Sequence, residues 1–135
     1  MNGNDEEACV LDSCFCMNFL NKRLTALPKK LLYISLITRM ELLAKPEYKD
    51  NKEAEHVALD FIAGMTVVPI TDEIEDRTVA IRRENTAVKL PDAIIAASAV
   101  FLGLTLFSCD DSLVAQLCKA APELSAIYEQ PLPLE

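Results

Sequence analysis

Glycine is scarce in this chain of 135 residues, with only Gly3, Gly64 and Gly103. No glycine-rich loop can therefore cradle phosphates through its backbone N–H groups. Tryptophan is absent and aromatic residues make up 6% of the chain, which argues against an exposed platform for base stacking. One histidine, His56, cannot supply a histidine-based zinc site. The five cysteines cannot all pair, and Cys14 and Cys16 are not spaced like a zinc knuckle. Free thiols point to a reducing compartment, the cytoplasm. Cys9 and Cys118 read as small core residues. No apolar run reaches the roughly 20 residues a bilayer demands. The most apolar stretch, Ala93 to Phe107, is broken by Ser98, Gly103 and Thr105 and bounded by Asp92 and Asp110. At the N-terminus, Asp5-Glu6-Glu7 stands where an export signal would be basic. Positive charge is also short: 13 Lys and Arg against 21 Asp and Glu leave a net charge of −8. That balance excludes a protein that holds DNA by general charge neutralisation.

What remains is an ordinary globular composition, 51% hydrophobic and 25% charged. Length and apolar content predict a single domain over 1–135, with 1–7 and 131–135 as flexible tails. Short apolar runs alternate with helical patterns. Ala8 to Leu11 reads as a first strand, and Ser13 as the cap of a helix to Leu20. Leu31 to Ile34 reads as a second strand, followed by a helix from Leu36 to Ala44 that Lys45-Pro46 stops. Asp50 to Ala63 is helical, closed by Gly64. Thr66 to Ile70 is a third strand, and Thr71 caps a helix to about Asn85. Pro91 and Asp92 open an almost wholly apolar helix that Gly103 ends. Thr105 to Ser108 is a fourth strand, with Asp111 or Ser112 capping a last helix to Ala120. Ser125 to Glu129 forms a short edge strand. Buried strands separated by helices predict a three-layer α/β/α sandwich around a mainly parallel sheet of four to five strands.

Ligands of an open α/β sheet bind beyond the carboxyl ends of its strands. Asp12 ends the first strand, and Asp110 follows the fourth. Asp92 opens the buried helix, and Glu41 lies on the helix after the second strand. Four carboxylates on one rim would repel by about 4 kcal/mol per pair at 4 Å and an effective dielectric of 20. Such a cluster persists only with a cation or with protons retained. Oxygen-only ligation suits Mg²⁺ or Mn²⁺, and those ions support phosphodiester hydrolysis.

Four segments in order carry a family resemblance. They are Val10-Leu11-Asp12-Ser13, Ile37-Thr38-Arg39-Met40-Glu41-Leu42-Leu43, Leu90-Pro91-Asp92-Ala93-Ile94-Ile95-Ala96-Ala97-Ser98-Ala99, and Leu106-Phe107-Ser108-Cys109-Asp110. Together they resemble the PIN domains, and within them the small VapC-like toxin ribonucleases of bacterial toxin–antitoxin pairs. The resemblance runs from about Val10 to Leu117 and implies the sandwich argued above. It implies that Asp12, Glu41, Asp92 and Asp110 bind one or two Mg²⁺ or Mn²⁺ ions and carry catalysis. RNA would be cut by a metal-activated water, with Ser13 and Ser108 orienting carboxylates or water. It further implies a small antitoxin partner, docking on the region from Phe15 to Leu43, and a homodimer or higher oligomer. Cys14 departs from the Asn often found there in the family, and Cys109 adjoins Asp110; thiols so placed would alter metal preference or make activity sensitive to oxidation. Because two divalent ions would still leave the chain negative, RNA contacts must come from a local set among Lys22, Arg23, Lys29, Lys30, Arg39, Arg82, Arg83 and Lys89.

Each acid also has a structural reading. Asp92 gains about 0.3–1 kcal/mol at a helix N-terminus. Glu41 is spaced to pair with Lys45, Asp110 or Asp111 to cap a helix, and Asp12 to turn the chain. Asp72, Glu73, Glu75 and Asp76 read as a solvated helix start, and His56 as a surface residue. The alternative function is a non-catalytic interaction module on the same fold. A phosphoacceptor receiver fits less well, because its acidic pair follows the first strand and Asp110-Asp111 follows the fourth.

Overall fold

A computed structural model describes residues 7–134. The expected tails therefore lie partly outside the described residues, at 1–6 and at 135. The elements run β1 (Ala8–Leu11), α1 (Ser13–Leu20), β2 (Leu31–Ser35), α2 (Leu36–Leu43), a 3₁₀ turn (Pro46–Lys49) and α3 (Lys52–Ala63). Then come β3 (Thr66–Val68), α4 (Asp72–Glu84), α5 (Leu90–Leu102), β4 (Leu106–Ser108), α6 (Asp111–Ala120) and β5 (Ala126–Tyr128). The strands form one sheet in the order β3-β2-β1-β4-β5, and every pairing is parallel. The expected three-layer α/β/α architecture is thus the one observed.

Strand alternation sends neighbouring residues to opposite faces. Cys9 and Leu11 of β1 join Phe15, Leu42 and Ile62 in the core under α1–α3. Val10, one residue away, joins Ile74, Ile95 and Leu117 in the core under α4–α6. β4 divides likewise, with Leu106 in the second core and Phe107 in the first. Burial on both faces explains why the strands read as unbroken apolar runs. Helix α5 supplies Ala93, Ala96, Ala97 and Ala99, all fully buried, and such small side chains let it lie close against its neighbours. Gly103 ends it at φ +69°, a left-handed conformation that favours glycine. No helix among the described residues is long and apolar enough to cross a membrane.

Several helix ends differ from expectation. Asp12, not Ser13, caps α1, its carboxylate accepting from the Phe15 N–H at 2.7 Å. Asp110, not Asp111 or Ser112, caps α6, accepting from the Leu113 N–H at 3.0 Å. In both cases the residue leaving the strand is still extended and can swing its side chain back over the first turn. Gly64 closes α3 at φ −85°, which any residue adopts. Cys118 is exposed, because α6 turns Leu117 and Ala120 inward instead. The C-terminal segment is tied down at one point: the Leu132 N–H donates to the Arg23 carbonyl at 2.7 Å, and Arg23 Nε donates to the Leu132 carbonyl at 2.9 Å.

Candidate active site

Sheet order places the site. The chain builds outward from β1 through β2 to β3, then crosses back to lay β4 and β5 on β1's other side. The strand order therefore reverses between β1 and β4, and the crevice beyond their carboxyl ends is where an open α/β sheet takes its ligand. Asp12 leaves β1 at that point, and its N–H donates to the Phe107 carbonyl of β4 at 3.1 Å. Ser108 ends β4, and Asp110 follows two residues on. Helix α2 carries Glu41, and α5 carries Asp92 in its first turn.

The charges of these acids act on one another pairwise, Asp92 and Asp110 on Asp12, and Glu41 and Asp110 on Asp92. Burial, with 2% of its surface exposed, pushes the Asp12 carboxyl up to about 6, and the negative charges of Asp92 and Asp110 push the same way. The Phe15 N–H, bonded to Asp12 at 2.7 Å, and the Ser108 hydroxyl offset part of that rise. Asp92 is also raised, first by burial and then by the charges of Glu41 and Asp110, while Lys89 acts in the opposite sense. Glu41 does not pair with Lys45; it accepts a hydrogen bond from the Ser13 hydroxyl. Ser13 in turn lies 3.1 Å from the hydroxyl of Thr38, which is buried one helical turn before Glu41. The Asp110 N–H donates to the Ser108 hydroxyl at 3.1 Å.

The donor set is all carboxylate oxygen, buried at Asp12 and mutually repelling, and that chemistry fits a hard divalent cation. The side chains do not stand as a finished ligand shell: among the described residues no three Asp, Glu, His or Cys side chains close around one point. Three of the four acids have an oxygen drawn elsewhere, Asp12 to Phe15 N–H, Asp110 to Leu113 N–H and Glu41 to Ser13. A single carboxylate has a second oxygen to offer, so these bonds orient the acids without exhausting them.

Other expectations meet mixed outcomes. His56 is on the surface beside Asp60. The acids at the start of α4 are exposed, and Thr71 caps that helix. Arg82 is engaged structurally, donating to the Thr86 and Val88 carbonyls and holding the loop before α5. Phe15 and Cys16, within the region expected to dock a partner, are buried, while Leu31 and Met40 are exposed there. Sequence reading missed Thr38, whose signal was its place three residues before Glu41 on one helix face.

A family model described as PIN domain matches residues 9–119. Among curated proteins no relative matches the sequence. Solved structures do. A toxin–antitoxin complex from Klebsiella pneumoniae is similar at 27% identity and TM-score 0.67, covering 90% of this chain and 98% of that one. VapBC-5 of Mycobacterium tuberculosis, a member of the VapBC family of toxin–antitoxin systems, gives 24% and 0.70 with the same coverage. DNA-bound VapBC from Salmonella typhimurium gives 21% and 0.76, again covering 90% and 98%.

Proposed function

The chain belongs to the PIN-domain family, and from that premise we propose that it is a Mg²⁺- or Mn²⁺-dependent endoribonuclease, the toxin of a toxin–antitoxin pair. The observation that carries this reading is the coupled acid rim of Asp12, Glu41, Asp92 and Asp110 at the reversal of strand order. The similar structures in complexes with antitoxins support an antitoxin partner here.

The four carboxylates would hold the ion, which when bound lowers the pKa of water and offsets charge on a phosphate. The chain's own residues set the geometry. Phe15 N–H fixes Asp12, and the Ser108 hydroxyl accepts from the Asp110 N–H. Ser13 holds Glu41 toward the rim, and the α6 cap holds Asp110. Lys89 tempers the negative potential beside Asp92. Substrate cleavage needs phosphate brought against this acidic rim, so the nearby cations must act locally and not through net charge.

The test is cleavage of single-stranded RNA by the purified chain with Mn²⁺. Activity is expected to vanish with a chelator, to return with Mn²⁺ and to be lost in Asp92→Asn. Cleavage that survives Asp92→Asn at the wild-type rate contradicts the reading. An intact fold that neither binds Mn²⁺ in calorimetry nor cleaves RNA leaves the non-catalytic module instead. Ser13→Ala removes the hydroxyl that orients Glu41. Outer groups of this kind cost about 10–100-fold in metal affinity or activity. Mn²⁺ titration of this variant is expected to show that weakening; an unchanged affinity would mean that Ser13 serves only the helix.

A further inference from the structure

The segment after β5 runs Glu129-Gln130-Pro131-Leu132-Pro133-Leu134 and crosses the loop that links α1 to β2. Neither proline carries an N–H, so Leu132 holds the one donor of the Pro-Leu-Pro run. That donor is used on the Arg23 carbonyl, and Arg23 Nε answers to the Leu132 carbonyl. Arg23 is thus gripped through its backbone and its side chain by the same residue.

The helix end before it is arranged to deliver Arg23 there. Arg23 N–H donates to Asn18 carbonyl at 2.8 Å and Lys22 N–H to Phe19 carbonyl at 3.0 Å. These are the two bonds of a Schellman ending, in which the residue at Lys22 must be left-handed, and Lys22 sits at φ +62°. The position favours glycine, and a lysine stands there. The outcome is an arginine whose Nε is fixed while its terminal nitrogens have no carboxylate: among the described residues Arg23 forms no ion pair. It lines a cavity of about 280 Å³ together with Phe15, Glu129 and Leu132. Phe15 is the residue whose N–H holds Asp12. Glu129, on the same cavity, donates its N–H to the Ser108 carbonyl at 2.8 Å, two residues before Asp110.

We infer that Arg23, clamped by the C-terminal strap at Leu132, contacts an RNA phosphate on the Asp110 side of the acid rim. The inference rests on the nuclease reading. Lys89 stands at the N-cap of α5, three residues before Asp92, and supplies a second cation for the same strand. A guanidinium with its Nε restrained presents its remaining N–H groups as a fork suited to phosphate oxygens.

Steady-state cleavage of single-stranded RNA with Mn²⁺, measured across a salt series, tests this. Arg23→Gln is expected to raise KM about tenfold with kcat changed less than about twofold. It should also flatten the salt dependence of kcat/KM by about 0.7, the value of one contact to single-stranded phosphate. Arg23→Lys keeps the charge and should keep the salt slope, with a smaller rise in KM. Leu132→Pro removes the strap's N–H, leaves Arg23 in place, and should raise KM in the same direction. If the wild-type chain cleaves RNA and Arg23→Gln keeps both KM and slope, the inference is overturned and the nuclease reading stands. A fall in kcat and thermal stability with KM unmoved also overturns it, by showing a purely structural arginine. A wild-type chain that cleaves no RNA overturns the nuclease reading and this inference with it.

Discussion

Asp12→Asn is expected to abolish RNA cleavage while making the metal-free protein harder to unfold. The loss of activity follows from removing one negative charge from the buried centre of the rim. A divalent ion supplies several kcal/mol of charge stabilisation, so if Asp12 holds the ion as proposed its loss is expected to cost about 10³-fold or more in rate. The gain in stability follows from the same burial. The Asp12 carboxyl titrates near 3.8 when free and is pushed up to about 6 in the fold. The folded state therefore holds the proton more tightly than the unfolded chain does. Its contribution is most favourable below pH 4, declines as pH rises through 4 to 6, and stands at its full penalty above that range. The rise from 3.8 to about 6 corresponds to about 3 kcal/mol. Asparagine has no proton to lose, and its side-chain oxygen can still accept from the Phe15 N–H as a helix cap. Urea unfolding with chelator present should find Asp12→Asn more stable than wild type by up to about 3 kcal/mol at pH 7. The gap should close as the pH is lowered to 4. An asparagine variant less stable than wild type at pH 7 would show that Asp12 is held by attraction and not merely tolerated.

Phe15→Ala is expected to do the reverse, costing stability and sparing chemistry. Phe15 is buried to 1% and meets Phe107 edge to face, the ring centroids 6.2 Å apart at 74°. It forms the apolar floor beneath the first turn of α1, in the core shared by α1–α3. Truncation of a fully buried phenylalanine costs about 3–5 kcal/mol, a large share of a small domain's stability. The backbone N–H that holds Asp12 is kept in the variant. Denaturant midpoints should fall accordingly, while the folded fraction at low temperature should keep cleavage within about tenfold of wild type. A loss below about 1 kcal/mol would mean that the core closes over the gap.

The layered fold was legible because its determinants are local. Runs such as Val10-Leu11 and Leu106-Phe107 are apolar on both faces, as strands buried on both sides must be. Pro91 inside the start of α5 and Gly103 after its end fixed that helix within a residue or two. The capping assignments failed where Asp and Ser stand side by side, at Asp12-Ser13 and Asp110-Asp111-Ser112. Either residue can cap a helix in isolation, and only the chain's direction on leaving the strand decides which one does. The same ambiguity hid Thr38 and the grip of Leu132 on Arg23, because a hydroxyl or a tail carbonyl carries no sequence mark of its distant partner.

The residues by themselves determined which elements form and which faces are apolar, and they marked four acids as candidates. They did so because periodicity, punctuation and charge act over a few residues at a time. Tertiary structure alone decided that β4 returns to the far side of β1, setting Asp110 beside Asp12, and that Ser13, Phe15 and Ser108 orient the acids. Those facts depend on separations of up to about a hundred residues collapsed into a few ångströms. The balance there, between burying a carboxylate and hydrogen-bonding it, exists only once the sheet has closed.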